Sequence, residues 1–263
     1  MTAAGVEGPE LVRERRGAIL VLRLNRPQAR NALTMSLIAD IGRAVVAAES
    51  DPEIRAVVLT GTGDRAFCAG MDLRSFAAGE TTSAGAEDAM AGYYRLIRGE
   101  IAVPMIGAAN ATALAGGFEL LLACDLIIAS DRAEFGLPEV KRGLFAAGGG
   151  TLIGTRLPLS IALELALTGD SITATRAYDL GLVNAVVDPA GVLTTAVAYA
   201  ERIAANAPLS LAATKELVRL GVADTARAAT RAEEWRSTVF NSEDAKEGAM
   251  AFIEKRAPIW QGR

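Results

Sequence analysis

The sequence predicts an α/β fold with parallel strand pairing, finished by a helical C-terminal segment. Three observations predict it. Strand-like and helix-like stretches alternate as far as residue 148, the clearest strand is a continuous apolar run, and after Gly148 the pattern turns almost wholly helical. The 263 residues, 51% of them hydrophobic and 22% charged, are enough to bury a substantial core.

Residues 11–15 and 18–22 are β-rich runs split by a turn signal at Gly17, which predicts a hairpin that Asn25-Arg26-Pro27 then breaks. Over residues 35–50, Leu37, Ile38, Ile41, Val45 and Val46 recur at helical spacing, and Thr34 is placed to cap them. Residues 55–60 are the continuous apolar strand. Residues 77–91 are rich in Gly, Ala, Ser and Thr, so they predict a mobile loop leading into a helix over 92–101. A strand over 105–109, a helix over 117–123 and a strand over 126–129 follow. The remaining expected helices are 149–157, 161–167, 173–180, 190–206, 209–220, 225–240 and 242–257. This pattern suggests a core over residues 1–200 that carries the active site and a helical oligomerisation segment over 201–263.

A net charge of −4 and a pI near 5.2 argue against a nucleic-acid partner, because duplex binding draws on a positive surface. Any anionic ligand must then be met by local cations. No apolar stretch reaches membrane-span length and no leader-like segment opens the chain, so no membrane contact and a cytoplasmic location are expected. Cys68 and Cys124 are expected to be buried free thiols. Histidine is absent, which excludes Ser-His-Asp and Cys-His nucleophile pairs, His-ligated zinc and imidazole acid–base chemistry. Proton transfer near neutral pH must fall to Glu, Asp, Tyr, Cys or Lys.

Four segments could hold chemistry. In Ala66-Phe67-Cys68-Ala69-Gly70-Met71-Asp72-Leu73, small residues at 69 and 70 would let the backbone approach a ligand and leave the Met71 amide to donate. Taken alone, the segment also fits a plain turn. In Ala113-Leu114-Ala115-Gly116-Gly117-Phe118-Glu119-Leu120, paired glycines open an apolar helix, and Glu119 falls in its first turn. A glutamate there also fits simple dipole compensation. Glu139 follows Pro138 in a loop, a place where a glutamate is commonly just solvated. Gly148-Gly149-Gly150 looks like a helix entry, and without a following Gly-Lys-Ser/Thr it is not a phosphate loop. Residues 61–66 loosely fit a dinucleotide fingerprint, but Phe67-Cys68-Ala69-Gly70 is a poor opening for the required helix.

In this order and spacing the segments resemble the enoyl-CoA hydratase/isomerase family, also called the crotonase family. The matching pieces are Asn25-Arg26-Pro27 with Asn31-Ala32-Leu33, residues 66–73, residues 115–120, Cys124-Asp125 and Phe135-Gly136-Leu137-Pro138-Glu139. Leu167-Thr168-Gly169, residues 177–183 and the ending from Glu247-Gly248 to Lys255-Arg256 are similar too. The resemblance implies a crotonase-like spiral of β-β-α units with a C-terminal helical segment. It implies an oxyanion hole from the amides of Met71 and Gly116, with Glu119 orienting and deprotonating water and Glu139 protonating Cα. Substrate and CoA contacts would come from Ala32, Ala69, Met71, Asp72, Leu73, Arg74, Gly116, Gly117 and Lys255. Arg30, Arg74, Lys255 and Arg256 are the candidate cations for the CoA phosphates.

The implied reaction needs no metal and no cofactor beyond the coenzyme A of its acyl-CoA substrate, and the family's C-terminal helices imply a homotrimer or a dimer of trimers. Met71, Tyr93, Phe118 and Phe145 are expected to line the acyl pocket. Ala115 departs from the family by standing where a third glycine is usual, and Asn110-Ala111-Thr112 replaces a frequent Asn-Gly-aromatic run. The stretch from Phe135 to Gly150, with Val140-Lys141-Arg142-Gly143, is similar to members acting on unusual acyl groups such as crotonobetainyl-CoA. Three other readings stay open: a Δ3-Δ2 isomerase using one glutamate, a non-catalytic acyl-CoA binder, and a nicotinamide-dependent oxidoreductase.

Overall fold

The computed structural model describes residues 8–72 and 86–263. β1 (Leu11–Arg16) and β2 (Ile19–Leu24) form the expected hairpin, with Arg16 opposite Ile19 and Leu11 opposite Leu24. α1 (Met35–Ser50) begins where the Thr34 hydroxyl accepts the Leu37 N–H at 3.0 Å. β3 (Ala56–Gly61), α2 (Glu87–Ile97), β4 (Met105–Ala109), β5 (Ala113–Leu114), α3 (Gly116–Ala123), β6 (Leu126–Ser130) and β7 (Glu134–Gly136) follow. The strand order β1-β2-β3-β4-β6 continues to β9 (Ala185–Val187), and pairing is parallel from β2 onward.

Both faces of this sheet are covered, which is why β3 reads as a continuous apolar run. Val57 and Leu59 face the cluster that holds Leu37, Ile41, Val45 and Leu96, whereas Val21, Val58, Ile106 and Ile128 pack on Val192, Ala196 and Ala200. Those last three belong to α6 (Val192–Ala204), which follows α4 (Leu159–Thr168) and α5 (Ala174–Asp179). Residue 200 therefore lies inside a helix of the sheet's covering layer. α7 (Pro208–Ala223), α8 (Thr225–Phe240) and α9 (Glu243–Glu254) come after it.

Asp125 ties α7 to the core. Burial pushes its carboxyl up, but Lys215 at 2.8 Å and Arg219 at 2.8 Å outweigh that and hold it below the usual carboxylate range.

Some expectations need correction. α2 starts at Glu87 rather than 92, because Ala86, Ala89 and Tyr93 share its buried side and alanine is compatible with both loop and helix composition. Of the expected loop, residues 77–85 lie outside the described residues. The stretch after Gly148, expected to be almost wholly helical, holds two short strands. β8 (Ser171–Thr173) pairs with β7 in a small sheet of order β5-β7-β8, and β9 joins the main sheet. Each has three residues, too few to show periodicity. Among the described residues no helix is long and apolar enough to cross a membrane.

Candidate active site

Two segments meet at the N-terminus of α3. Residues 66–72 leave β3 and are held on both sides by backbone hydrogen bonds. Phe67 N–H donates to the Thr112 carbonyl at 3.0 Å and Leu114 N–H to the Cys68 carbonyl at 3.1 Å. On the other side Leu33 N–H donates to the Gly70 carbonyl at 2.8 Å, and Asp72 N–H donates to the Leu33 carbonyl at 2.9 Å. Met71, between those two bonds, pairs with Leu33 as a parallel bridge.

Glycine makes the approach possible. A Cβ on Gly117 would stand 2.1 Å from the Cys68 carbonyl oxygen, and one on Gly70 would stand 2.7 Å from Ala115 Cβ and 3.3 Å from the Gly116 nitrogen. Neither the Met71 nor the Gly116 amide donates to an acceptor among the described residues. Gly116 is the first residue of α3, where an unbonded N–H and the helix dipole both favour negative charge. Ala115, just before it, sits at φ 51 and ψ −129, a conformation that ordinarily belongs to glycine and costs on the order of 1–3 kcal/mol with a side chain.

Glu119 lies one turn into α3, with only 6% of its surface exposed. Burial raises the proton affinity of its carboxyl, and the Glu139 charge adds to that rise. The Gly150 and Gly148 amides oppose it, Gly150 N–H donating to Oε1 at 2.9 Å. A Cβ at Gly148 would stand 2.3 Å from Oε2. The triple glycine, read in the sequence as a helix entry, thus walls in this carboxylate, and the run of three glycines was the only signal for it.

Glu139 stands on a short 3₁₀ turn, Pro138–Arg142, rather than in an open loop. Its Oε2 is buried and has no hydrogen-bond partner among the described residues. Burial raises its proton affinity too, partly offset by its own backbone N–H and by Arg142. The Glu139 charge acts on Glu119, and Oε2 of Glu119 would lie 3.7 Å from a Cβ on Gly116, whose amide has no acceptor among the described residues. Such a set of carboxyls and amide can hold negative charge on a carbonyl oxygen and move protons beside it.

Among the other expected site residues, Ala32, Ala69 and Gly117 lie on the segments just described. The Ala32 carbonyl accepts from Arg26 at 2.6 Å, and Ala69 N–H donates to the Arg30 carbonyl at 3.0 Å. Asp72 is ion-paired with Arg26 at 3.0 Å. Leu73 and Arg74 lie outside the described residues. Arg30 and Lys255 are exposed, whereas Arg256 is ion-paired with Glu247 and Glu254. Tyr93 is buried, but Phe118 stacks on Phe135 with ring centroids 5.5 Å apart and belongs to the core, while Phe145 is 69% exposed. No helix follows β3 directly, so residues 61–66 lack the helix that a dinucleotide fingerprint requires. In the sequence Arg26 belongs only to the Asn25-Arg26-Pro27 motif; its contacts emerge from the folded chain.

Residues 14–263 match the family described as enoyl-CoA hydratase/isomerase. A carnitinyl-CoA dehydratase of Proteus mirabilis is 38% identical over 94% of this chain and 97% of its own length. The crystal structure of enoyl-CoA hydratase EchA1 from Mycobacterium marinum superposes with a TM-score of 0.89 at 42% identity, covering 97% of this chain and 100% of that one. The carnitinyl-CoA hydratase from Mycobacterium avium gives a TM-score of 0.75 at 44% identity, covering 97% and 99%.

Proposed function

This chain belongs to the enoyl-CoA hydratase/isomerase family, and from that premise we propose that it is an enoyl-CoA hydratase adding water across the 2,3 double bond of an acyl-CoA thioester. One observation carries the reading. Two buried or half-buried carboxyls, Glu119 and Glu139, both have raised proton affinity, and they differ in how their oxygens are satisfied. Glu119 has amide donors aimed at it, which suits the ionised base. Glu139 has a buried oxygen with no donor among the described residues, which suits the protonated acid.

In the proposed reaction Glu119 takes a proton from water as the water oxygen bonds to Cβ. The enoyl π electrons move onto the thioester oxygen, where the Met71 and Gly116 amides donate to the developing charge. Donors of this kind are each worth roughly 3–4 kcal/mol on the scale of single deletions. Glu139 then gives its proton to Cα as the electrons return. The product is a 3-hydroxyacyl-CoA, and proton exchange with solvent resets the pair.

For the acyl group, the similarity to proteins named carnitinyl-CoA dehydratase and carnitinyl-CoA hydratase favours a carnitine-derived chain as a second reading. Exposed Arg30 and Lys255 are the proposed phosphate contacts. Phe240, Phe252 and Ile253 stand exposed on the C-terminal helices, which supports a partner subunit there, as in a homotrimer.

The test is the loss of crotonyl-CoA absorbance at its enoyl-thioester band, extended to short, long, branched, aromatic and carnitine-derived enoyl-CoAs. Glu119→Gln and Glu139→Gln should each lower the rate by about 10²-fold or more. Full activity in both variants refutes the two-glutamate mechanism, and deuterium uptake without a hydroxyacyl product would select isomerisation.

A further inference from the structure

We propose that Arg26 is a positioning residue for the oxyanion hole, its guanidinium fixing the Met71 amide by clamping both sides of the Leu33–Met71 bridge from outside. This rests on the reading of the Met71 and Gly116 amides as the donors to the thioester oxygen. Arg26 has a side chain only 16% exposed, and its whole fork is engaged. Nη1 donates to the Ala32 carbonyl at 2.6 Å, Nη1 and Nη2 both donate to Oδ2 of Asp72 at 3.0 Å, and Nε lies 2.8 Å from Oε1 of Glu10. Asp72 follows Met71 in the chain, and Ala32 precedes Leu33. One rigid planar group therefore ties together the two neighbours of the bridge.

The anchor beneath it is equally constrained. Asn31, fully buried, accepts the Arg26 N–H at 2.9 Å and donates to the carbonyls of Thr62 at 3.0 Å and Ala66 at 2.9 Å. Arg30 and Asn31 both adopt left-handed backbone conformations, at φ 52 and φ 54. Such a turn persists only where its surroundings enforce it. Glu10 accepts from the Thr34 hydroxyl at 2.6 Å, which links the clamp to the cap of α1. Two backbone hydrogen bonds alone could let the 70–72 segment shift, and an error of about 1 Å in a polarising donor is enough to cost a large part of a rate. Lysine would keep the charge at position 26 and lose the fork.

The experiment uses full-length wild type, Arg26→Lys and Asp72→Asn. The probe is a cinnamoyl-CoA thioester bearing a para-dimethylamino group, whose absorbance moves to the red when its thioester carbonyl is polarised. Wild type should shift it, and both variants should bind it with a smaller shift. Turnover of crotonyl-CoA should fall about tenfold or more in kcat, with KM little changed. Loss of folded protein lowers the amplitude of the bound band and leaves its wavelength alone, so a purely structural role is distinguished. A full red shift and full kcat in Arg26→Lys overturn the proposal. If that variant does not fold, the same result in Asp72→Asn overturns it. A wild type that binds the probe without any shift instead removes the oxyanion-hole reading itself.

Discussion

The Gly150 amide donates to Oε1 of Glu119 across 31 residues of chain, so one carboxylate is held in place by a backbone that its own helix does not contain. Glu119 can point nowhere else without losing that donor. The chemistry assigned to it depends on a loop as much as on α3.

Crowding at the other oxygen makes this testable. A Cβ at Gly148 would lie 2.3 Å from Oε2 of Glu119, well inside contact distance. Gly148→Ala is expected to displace the carboxylate and lower crotonyl-CoA hydration by about 10²-fold, while circular dichroism stays close to wild type. An unchanged kcat would show that the rate does not depend on where Glu119 sits.

The raised proton affinity of Glu119 should appear in stability. Burial lifts its pKa above 4.5 in the folded chain, so the native state keeps a proton that the unfolded state has already released. The folded state is then penalised progressively as pH rises from 4.5 through the raised value, and the penalty disappears below 4.5. Glu119→Gln should be inactive yet more stable than wild type near neutral pH, with the gap closing on acidification. Urea unfolding at neutral and acidic pH measures it, and a gap that does not change with pH rejects the argument.

Ala115 pays for a glycine conformation with a side chain, at φ 51 and ψ −129. Ala115→Gly should relieve that strain, less the extra chain entropy of glycine, for a net gain of about 1 kcal/mol. Denaturant titration reads the change directly. A loss of similar size would mean that the methyl contact with the 70–71 segment outweighs the strain.

Cys68 and Cys124 are buried, and burial pushes each thiol up to about 12. Iodoacetamide at neutral pH should label neither in the folded protein and both after denaturation, as read by mass spectrometry. Rapid labelling of native protein would show that the core opens around α3.

Local signals were legible wherever a stripe or a cap was complete. The helical spacing of Leu37, Ile38, Ile41 and Val45 and the Thr34 cap locate α1, and the continuous run in β3 reports burial on two faces. The three-residue strands β8 and β9 were invisible because only their distant partners β7 and β6 make them strands. Phe118 and Phe145 show the same limit. Both are large apolar side chains near candidate motifs, and only the fold separates a stacked core ring from an exposed one.

The amino-acid sequence by itself determined the α/β class, the exclusion of histidine chemistry and the order of motifs that identifies the family, because each is carried by residue type and spacing along the chain. Only the tertiary structure decided that Gly148 and Gly150 border Glu119, that Arg26 clamps Ala32 and Asp72, and that Asp125 binds α7 to the core. Those contacts join segments far apart in sequence, and hydrogen bonds and close approach are set by distance in space, which periodicity does not encode.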